Sequence, residues 1–226
     1  MSHSVHPFSH RLGVIRDWKS RWIARDKGYR TALKADLIIR AFLIKELRTF
    51  YLADVQIERN QKALKVIVRT SRPGMIIGRS GDGAVKLREK ILTLLKKRGV
   101  ELAGLEFKLD IEEVKNPESN AAIVAMMVAE GLEKRLPFRR VLKQTLEKVL
   151  ANREVRGAKI KLSGRLGGAE MARREDLKKG QIPLQTLRAD IDFAREKAHM
   201  TYGDIGIKVW IYKGQIFEKD LKAATK

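Results

Sequence analysis

Cysteine is absent from the whole chain, so neither a disulfide nor a thiolate metal site can form. That absence is compatible with a reducing compartment. No apolar run approaches the roughly 20 residues that a membrane-spanning helix needs. The stretch from Met1 to His10 also lacks the apolar core of a secretory leader. The histidines, His3, His6, His10 and His199, are few, and no cluster of His, Asp and Glu has metal-ligand spacing. The sequence therefore offers no catalytic residue, no metal site and no cofactor motif. Acidic side chains are scarce relative to basic ones. There are 27 Asp and Glu against 48 Lys and Arg, a formal net charge of +21 and a pI of about 10.3. A surplus of that size repels itself and calls for a polyanionic partner. Hydrophobic residues make up 44% of the chain, which excludes a disordered basic tail. A length of 226 residues suits one large domain or two small ones, and the reading is a soluble intracellular protein.

What is present centres on Arg72-Pro73-Gly74-Met75-Ile76-Ile77-Gly78-Arg79-Ser80-Gly81. A strand pattern from Leu64 to Thr70 precedes it, and an amphipathic helix pattern from Asp82 to Arg98 follows. Gly78 and Gly81 lack a Cβ and allow close backbone approach. The following helix start offers free N–H groups to an anion, and Arg79 adds a full charge. No Gly-Lys-Ser/Thr ending makes this a P-loop. Gly81-Asp82-Gly83 is followed by Lys86 where a dinucleotide fingerprint wants Gly or Ala. The loop, its apolar lead-in and its helix resemble the KH module, whose Gly-x-x-Gly loop clamps a nucleic-acid backbone. The plain alternative is a strand-to-helix turn.

Residues 1–30 read as an irregular basic extension in which Arg11, Lys19 and their neighbours meet RNA. Trp18 and Trp22 among them either stack on bases or pack on the next helix. Residues 31–49 read as a helix with Leu33, Leu37, Ala41, Ile44 and Leu47 at helical spacing. Two alternating strands follow, around Val55 and Val66, joined by a turn at Asn60-Gln61-Lys62. Pro73 opens a short helical turn. The helix from Asp82 is expected to bury Val85, Leu87, Ile91, Leu94 and Leu95 and to close at Gly99. Residues 105–113 give a further strand. The order over 31–115, helix-strand-strand-helix-helix-strand, is that of a type II KH domain.

Asn116-Pro117-Glu118-Ser119 reads as the domain boundary, with Ser119 able to cap the next helix. That helix is apolar all round from Ala121 to Ala129, with Met126 and Met127 as core filler. Pro137 opens another, running to about Asn152 on a stripe of Leu142, Leu146, Val149 and Leu150. Arg140, Lys143 and Glu147 fall on its opposite face, with Arg139 in the first turn. Arginines at a helix start oppose the macrodipole, which favours a functional reading over a solvated face. Strands are expected at Ile160–Leu162, Leu187–Phe193 and Ile205–Ile211, the last two forming a hairpin through His199 to Gly203. Between the first two lies a long glycine- and arginine-bearing loop from Ser163 to Arg174, in which Arg165, Arg173 and Arg174 are candidate RNA contacts. Asp190 and Asp192 share a strand face but read as solvent-side or salt-bridged to Arg188, not as a catalytic pair. Residues 119–213 thus form a second α/β domain, two helices on an antiparallel or mixed sheet, and 214–226 a short basic tail. The fold class is α+β.

Several blocks of sequence, in order, resemble one family: the third protein of the small ribosomal subunit, in its bacterial form. They are His6-Pro7 with Arg11-Leu12-Gly13, Arg72 through Gly81, and Phe138-Arg139-Arg140. Ser163 through Glu170, Pro183-Leu184 with Thr186 through Asp192, and Tyr202-Gly203 with Gly206 through Ile211 complete the match. The resemblance implies a cytoplasmic, ribosomal, non-enzymatic protein of the subunit head, bound to small-subunit ribosomal RNA. It implies RNA contacts at Arg72, Gly78, Arg79, Ser80 and Gly81. Arg139, Arg140 and Lys143 would line the channel through which messenger RNA enters and help open structured messages. Implied neighbours are the tenth, fourteenth and second proteins of the subunit, with the fourth and fifth sharing the channel; neither a membrane nor a homo-oligomer is implied. Two departures stand out. Ser80 occupies a place where the family often carries a second base, and the C-terminal tail is short. The competing function is a free KH-domain regulator or RNA chaperone.

Overall fold

The structure, a computed structural model, describes residues 5–60, 62–100 and 104–217. The chain divides into two compact units, Lys19–Lys115 and Met1–Trp18 together with Asn116–Lys226. A one-turn helix, α1 (Pro7–His10), opens the described chain and belongs to the second of these.

The unit Lys19–Lys115 holds β1 (Ser20–Arg21), α2 (Asp26–Glu46), β2 (Leu52–Arg59), β3 (Ala63–Thr70), α3 (Pro73–Ile77), α4 (Asp82–Lys97) and β4 (Glu106–Glu113). Its sheet runs β1-β2-β3-β4, with β2 and β3 antiparallel and the two outer pairs parallel. Leu64, Val66 and Val68 are fully buried on β3 and meet Ile57 of β2 and Phe107 of β4. The β2–β3 turn closes with the Asn60 N–H on the Ala63 carbonyl at 2.8 Å; Gln61 of that turn lies outside the described residues. Gly99, at φ +65°, ends α4 as expected, and Val100 donates back to Leu95.

Helix α2 turns a different face inward from the one its leucines mark. Ala32, Ala35, Ile39, Leu43 and Leu47 are buried, while Leu33, Leu37 and Ile44 are exposed. The small alanines let the helix sit close to the sheet, and polar residues fix its rotation. Asp36, 3% exposed, accepts from Trp22 Nε1 at 2.7 Å, Arg59 at 3.1 Å and Ser20 at 3.3 Å. Arg40 donates to the Val55 and Lys19 carbonyls. Burying these groups satisfied outweighs exposing three aliphatic side chains. On α4, Leu87, Ile91 and Leu95 are buried but Val85 is exposed.

The other unit holds α5 (Ala121–Glu133), α6 (Phe138–Ala151), β5 (Gly157–Gly164), β6 (Arg173–Gly180), β7 (Ala189–Met200) and β8 (Gly203–Gln215). The sheet order is β6-β5-β8-β7, antiparallel throughout. One sheet face is buried: Ala158, Ile160 and Leu162 of β5 and Ile207, Val209 and Ile211 of β8 pack against Val124, Val128, Leu142, Leu146 and Val149 of α5 and α6. Met126 and Met127 are half-buried. Asn120, not Ser119, caps α5. Its Oδ1 accepts from Ala122 and Ile123, while Ser119 turns back to the Asn116 carbonyl. Asp192 adds a second acceptor, taking the Ala121 N–H at 2.8 Å.

Strand β6 takes up the last two residues of the loop expected at Ser163–Arg174 and runs on to Gly180, where no strand was expected. Its sequence, Arg-Arg-Glu-Asp-Leu-Lys-Lys-Gly, has no apolar alternation, because it is an edge strand exposed at nearly every position. The intervening loop is residues 165–172 and holds a 3₁₀ turn at Leu166–Gly168, anchored by fully buried Leu166. β7 and β8 form the expected hairpin with Met200 opposite Gly203, and β8 continues to Gln215. β7 starts at Ala189 instead of Leu187, which is exposed. Residues 218–226 of the tail lie outside the described residues.

Candidate nucleic-acid interface

The Gly-x-x-Gly loop is exposed and tightly built. Gly78 ends α3 at φ +71°, Ser80 and Gly81 are also left-handed at +55° and +86°, and Arg79 points from the intervening turn. Around this loop, the glycine that most requires its lack of a side chain is Gly83, the second residue of α4. A Cβ there would stand 2.3 Å from the Ile76 carbonyl oxygen, whereas one on Gly81 would meet nothing within 4 Å. Gly83 is what lets α3 and α4 touch, and so sets the loop's angle. Nothing in its spacing separated it from its neighbours. Arg72 is stacked over Tyr51 at 4.4 Å and its N–H reaches Thr70 Oγ1. The loop thus gathers Arg72, Gly78, Arg79, Ser80 and Gly81 at one end of this unit, although Asp82 also occupies the first turn of α4, where an anion would bind.

A second set of cations gathers on α6. Arg139, Arg140 and Lys143 are exposed, and Val141 and Leu142 between them are buried. The adjacent strand β6 brings Arg173 to the same place. Both Arg139 and Arg173 lie over the Phe138 ring, at 5.7 and 5.8 Å, and Arg139 reaches Glu175 at 3.4 Å. Phe138, half-buried and singled out in the sequence only as part of the Phe138-Arg139-Arg140 block, is therefore the hub of this ridge. Exposed ion pairs such as Arg139–Glu175 contribute little and are readily exchanged for a phosphate.

The remaining candidates separate. Arg165 is half-buried, donates to the Ala169 carbonyl at 2.8 Å and lies over Tyr202 at 5.3 Å, so it holds its own loop together. Arg174 is exposed on β6 opposite Ser163. Lys19 is paired with Asp54 at 2.7 Å. Arg11 departs most from expectation. It is fully buried, and its guanidinium donates to the carbonyls of Ala189, Pro7, Leu184 and Thr186 at 2.6, 3.0, 2.9 and 2.9 Å. Burial lowers its pKa, opposed by the charge of Asp190. Arg11 is a structural clamp: Nε, Nη1 and Nη2 each already donate to a carbonyl, and full burial keeps the group from a phosphate. The segment around it is ordered with it: His6 Nδ1 accepts from Phe8, and Arg16 pairs with Asp190. Asp190 therefore pairs with Arg16 instead of Arg188. Trp22 packs against Tyr29 and bonds Asp36, whereas Trp18 is 61% exposed.

Among the described residues no group of acidic or histidine side chains could hold a metal ion, and no helix is long and apolar enough to cross a membrane. Residues 38–119 match the family described as KH domain, and residues 128–211 match Ribosomal protein S3, C-terminal domain. A protein of Caldicellulosiruptor bescii named small ribosomal subunit protein uS3 is 45% identical over 226 residues, covering 100% of this chain and 98% of its own. Its namesake in Caldicellulosiruptor saccharolyticus is 44% identical over the same span. That of Clostridium novyi is 44% identical over 216 residues, 96% of this chain and 94% of its own. With both units matched in order and relatives aligned end to end, the chain belongs to the uS3 family of small-ribosomal-subunit proteins, a structural, RNA-binding and non-enzymatic family.

Proposed function

We propose that this protein is built into the head of the small ribosomal subunit, binds its ribosomal RNA, and presents the α6 ridge to messenger RNA as it enters. The observation that carries the channel role is the exposure of Arg139, Arg140 and Lys143 on one face of an ordered helix, around a Phe138 ring that also holds Arg173. Cations at a helix N-terminus weaken the helix slightly, and the exposed pair that Arg139 makes with Glu175 offsets little of that. A rigid element places them more reproducibly than a loop would, which suits meeting a moving strand. The Gly-x-x-Gly loop, with Arg72 and Arg79, is assigned to ribosomal RNA, as are Arg174 and Arg173. Neighbouring proteins on this reading are the tenth, fourteenth and second of the subunit, with the fourth and fifth at the channel.

The test replaces Arg139, Arg140 and Lys143 together by alanine. Subunits carrying the variant assemble normally and translate unstructured messages at the usual rate, but slow on messages with a stable hairpin placed to enter the channel. Equal slowing on both kinds of message contradicts the channel role. Recovery of the variant with assembled subunits on a gradient also separates a ribosomal protein from a free RNA-binding regulator.

A further inference from the structure

The two sheets of this chain treat their solvent faces differently. On the sheet of Lys19–Lys115, outward cations are balanced by carboxylates: Lys65 pairs with Asp110, Arg69 with Glu112, Arg21 with Glu58 and Lys19 with Asp54. That is an ordinary solvated face. The sheet of the other unit is covered along one side by α5 and α6. On its other side Ile191 and Tyr212 are buried with Ile182, and His6 stands against Phe193, while the rest of that side is open and its cations are not balanced. Strand register places Asp176, Lys161, Lys208 and Arg195 in one row across all four strands. The next row is Lys178, Lys159, Trp210 and Phe193. Arg174 and Lys197 stand at the two ends of the row beyond.

Cations directly opposite one another on neighbouring strands are destabilising. Here this happens at Lys161 with Lys208, at Lys208 with Arg195, and at Lys159 with Lys178. Asp176 is the one carboxylate in these two rows, and Lys159 takes it at 2.7 Å. Neither Lys161 nor Lys208 belongs to an ion pair among the described residues, and Lys208 and Arg195 are exposed. Two half-buried rings border the charged row: Phe193 and Trp210 lie 5.1 Å apart, with Arg195 over the first at 5.6 Å and Lys159 over the second at 5.9 Å. Strands about 4.8 Å apart and rows about 7 Å apart set the cations at separations comparable to those of successive phosphates on a nucleic-acid strand. A four-stranded antiparallel sheet with an open, basic, aromatic-edged face is a surface that RNA-binding sheet modules use.

We propose that the open face of the C-terminal sheet is a separate RNA-binding platform, with Lys161, Lys208 and Arg195 on phosphates and Trp210 at its edge beside the bound strand. It shares with the proposed function only the premise that the ligand is RNA, and it uses none of the residues of the ridge or the Gly-x-x-Gly loop.

The test uses the full chain and a labelled uridine dodecamer. Binding is titrated across salt for the unaltered protein, for K161A/K208A/R195A and for R139A/R140A/K143A. The sheet variant is expected to lower the slope of log affinity against log salt by about 2, as loss of three phosphate contacts to a single strand requires. Its thermal midpoint stays level or rises, since like-charged neighbours have been removed. An unchanged slope in a folded sheet variant overturns the platform. If that variant fails to fold, lysine acetylation of the unaltered protein decides. Protection of Lys161 and Lys208 by the dodecamer supports the platform, and equal acetylation with and without RNA overturns it. The ridge variant reports on the ridge alone, so failure of one surface is distinguishable from failure of the other.

Discussion

Arg11 shows how far a single residue's role depends on where the fold carries it. In the sequence it is one of many cations in a basic N-terminal run, and only its buried position reveals four carbonyl partners. Replacing it by alanine leaves those acceptors unsatisfied and is expected to destabilise the chain by about 3 kcal/mol or more. Arg11→Lys recovers only a minor part, because an ammonium lacks the planar fork that reaches carbonyls on two sides. Thermal unfolding of both variants checks this, and a lysine variant as stable as the parent would contradict the clamp. Gly83 makes a parallel case. Gly83→Ala drives a Cβ against the Ile76 and Ile77 carbonyls, at 2.3 and 2.9 Å, which cannot yield as a side chain can. Such overpacking costs about 1–3 kcal/mol. Gly81→Ala meets open space and only a left-handed φ, so its effect should be the smaller of the two, on the order of 1 kcal/mol. Urea titration ranks them, and a reversed order would remove Gly83 from its place as the α3–α4 spacer.

Among the elements, what could be read in advance was whatever a regular apolar period encodes. The β2–β3 hairpin, α4, α5, α6 and the β7–β8 pair all follow from alternation or helical spacing, as does the Pro73 turn before the Gly-x-x-Gly loop. α1 and β1 fell within residues read as irregular, and two further features escaped for physical reasons. β6 is paired along one edge only and buries almost nothing, so its charged sequence has no signature except the strand it pairs with. The rotation of α2 is set by buried Asp36 and half-buried Arg40, whose hydrogen bonds reach residues distant in sequence and are invisible to a hydrophobic count. The candidate site divides the same way. The ridge on α6 was legible because helical geometry alone sorts Arg140 and Lys143 from Leu142 and Leu146, whereas the open sheet face needed the register of four strands. The cap of α5 lies on the same side of that line. Asn120 is local, but Asp192 comes from β7 to accept the Ala121 N–H. Asp192→Ala is therefore expected to cost about 1 kcal/mol, and hydrogen exchange should rise in the first turn of α5 without rising in α6. Uniform exchange across both helices would contradict a local capping role.

At the scale of the molecule, the charge of +21 must be disposed somewhere, and the C-terminal unit disposes its share on two opposite sides. α6 packs on the covered face of the sheet and turns Arg139, Arg140 and Lys143 away from it, while Lys161, Lys208 and Arg195 look out from the uncovered face. One RNA strand cannot lie on both surfaces at once, so on these assignments the unit sits as a wedge between two segments of RNA. A general cationic coat and a two-sided wedge differ in how mutations combine. Counterion release counts phosphates neutralised, at about 0.7 per contact for a single strand and 0.9 for a duplex. On a coat, any three cations lost are replaced by others nearby, and the slope of log affinity against log salt hardly moves. On a wedge, a long structured RNA that spans both faces loses about 2 to 3 from its slope when either triplet is removed, and about 5 when both are, because sites that share no partners act additively. A short strand occupies one surface at a time, so either triple variant binds one strand fewer than the parent at saturation. Calorimetric titration with the short strand and salt titration with the long RNA measure these independently, and a stoichiometry equal on the parent and both variants would return the surplus charge to the status of a coat.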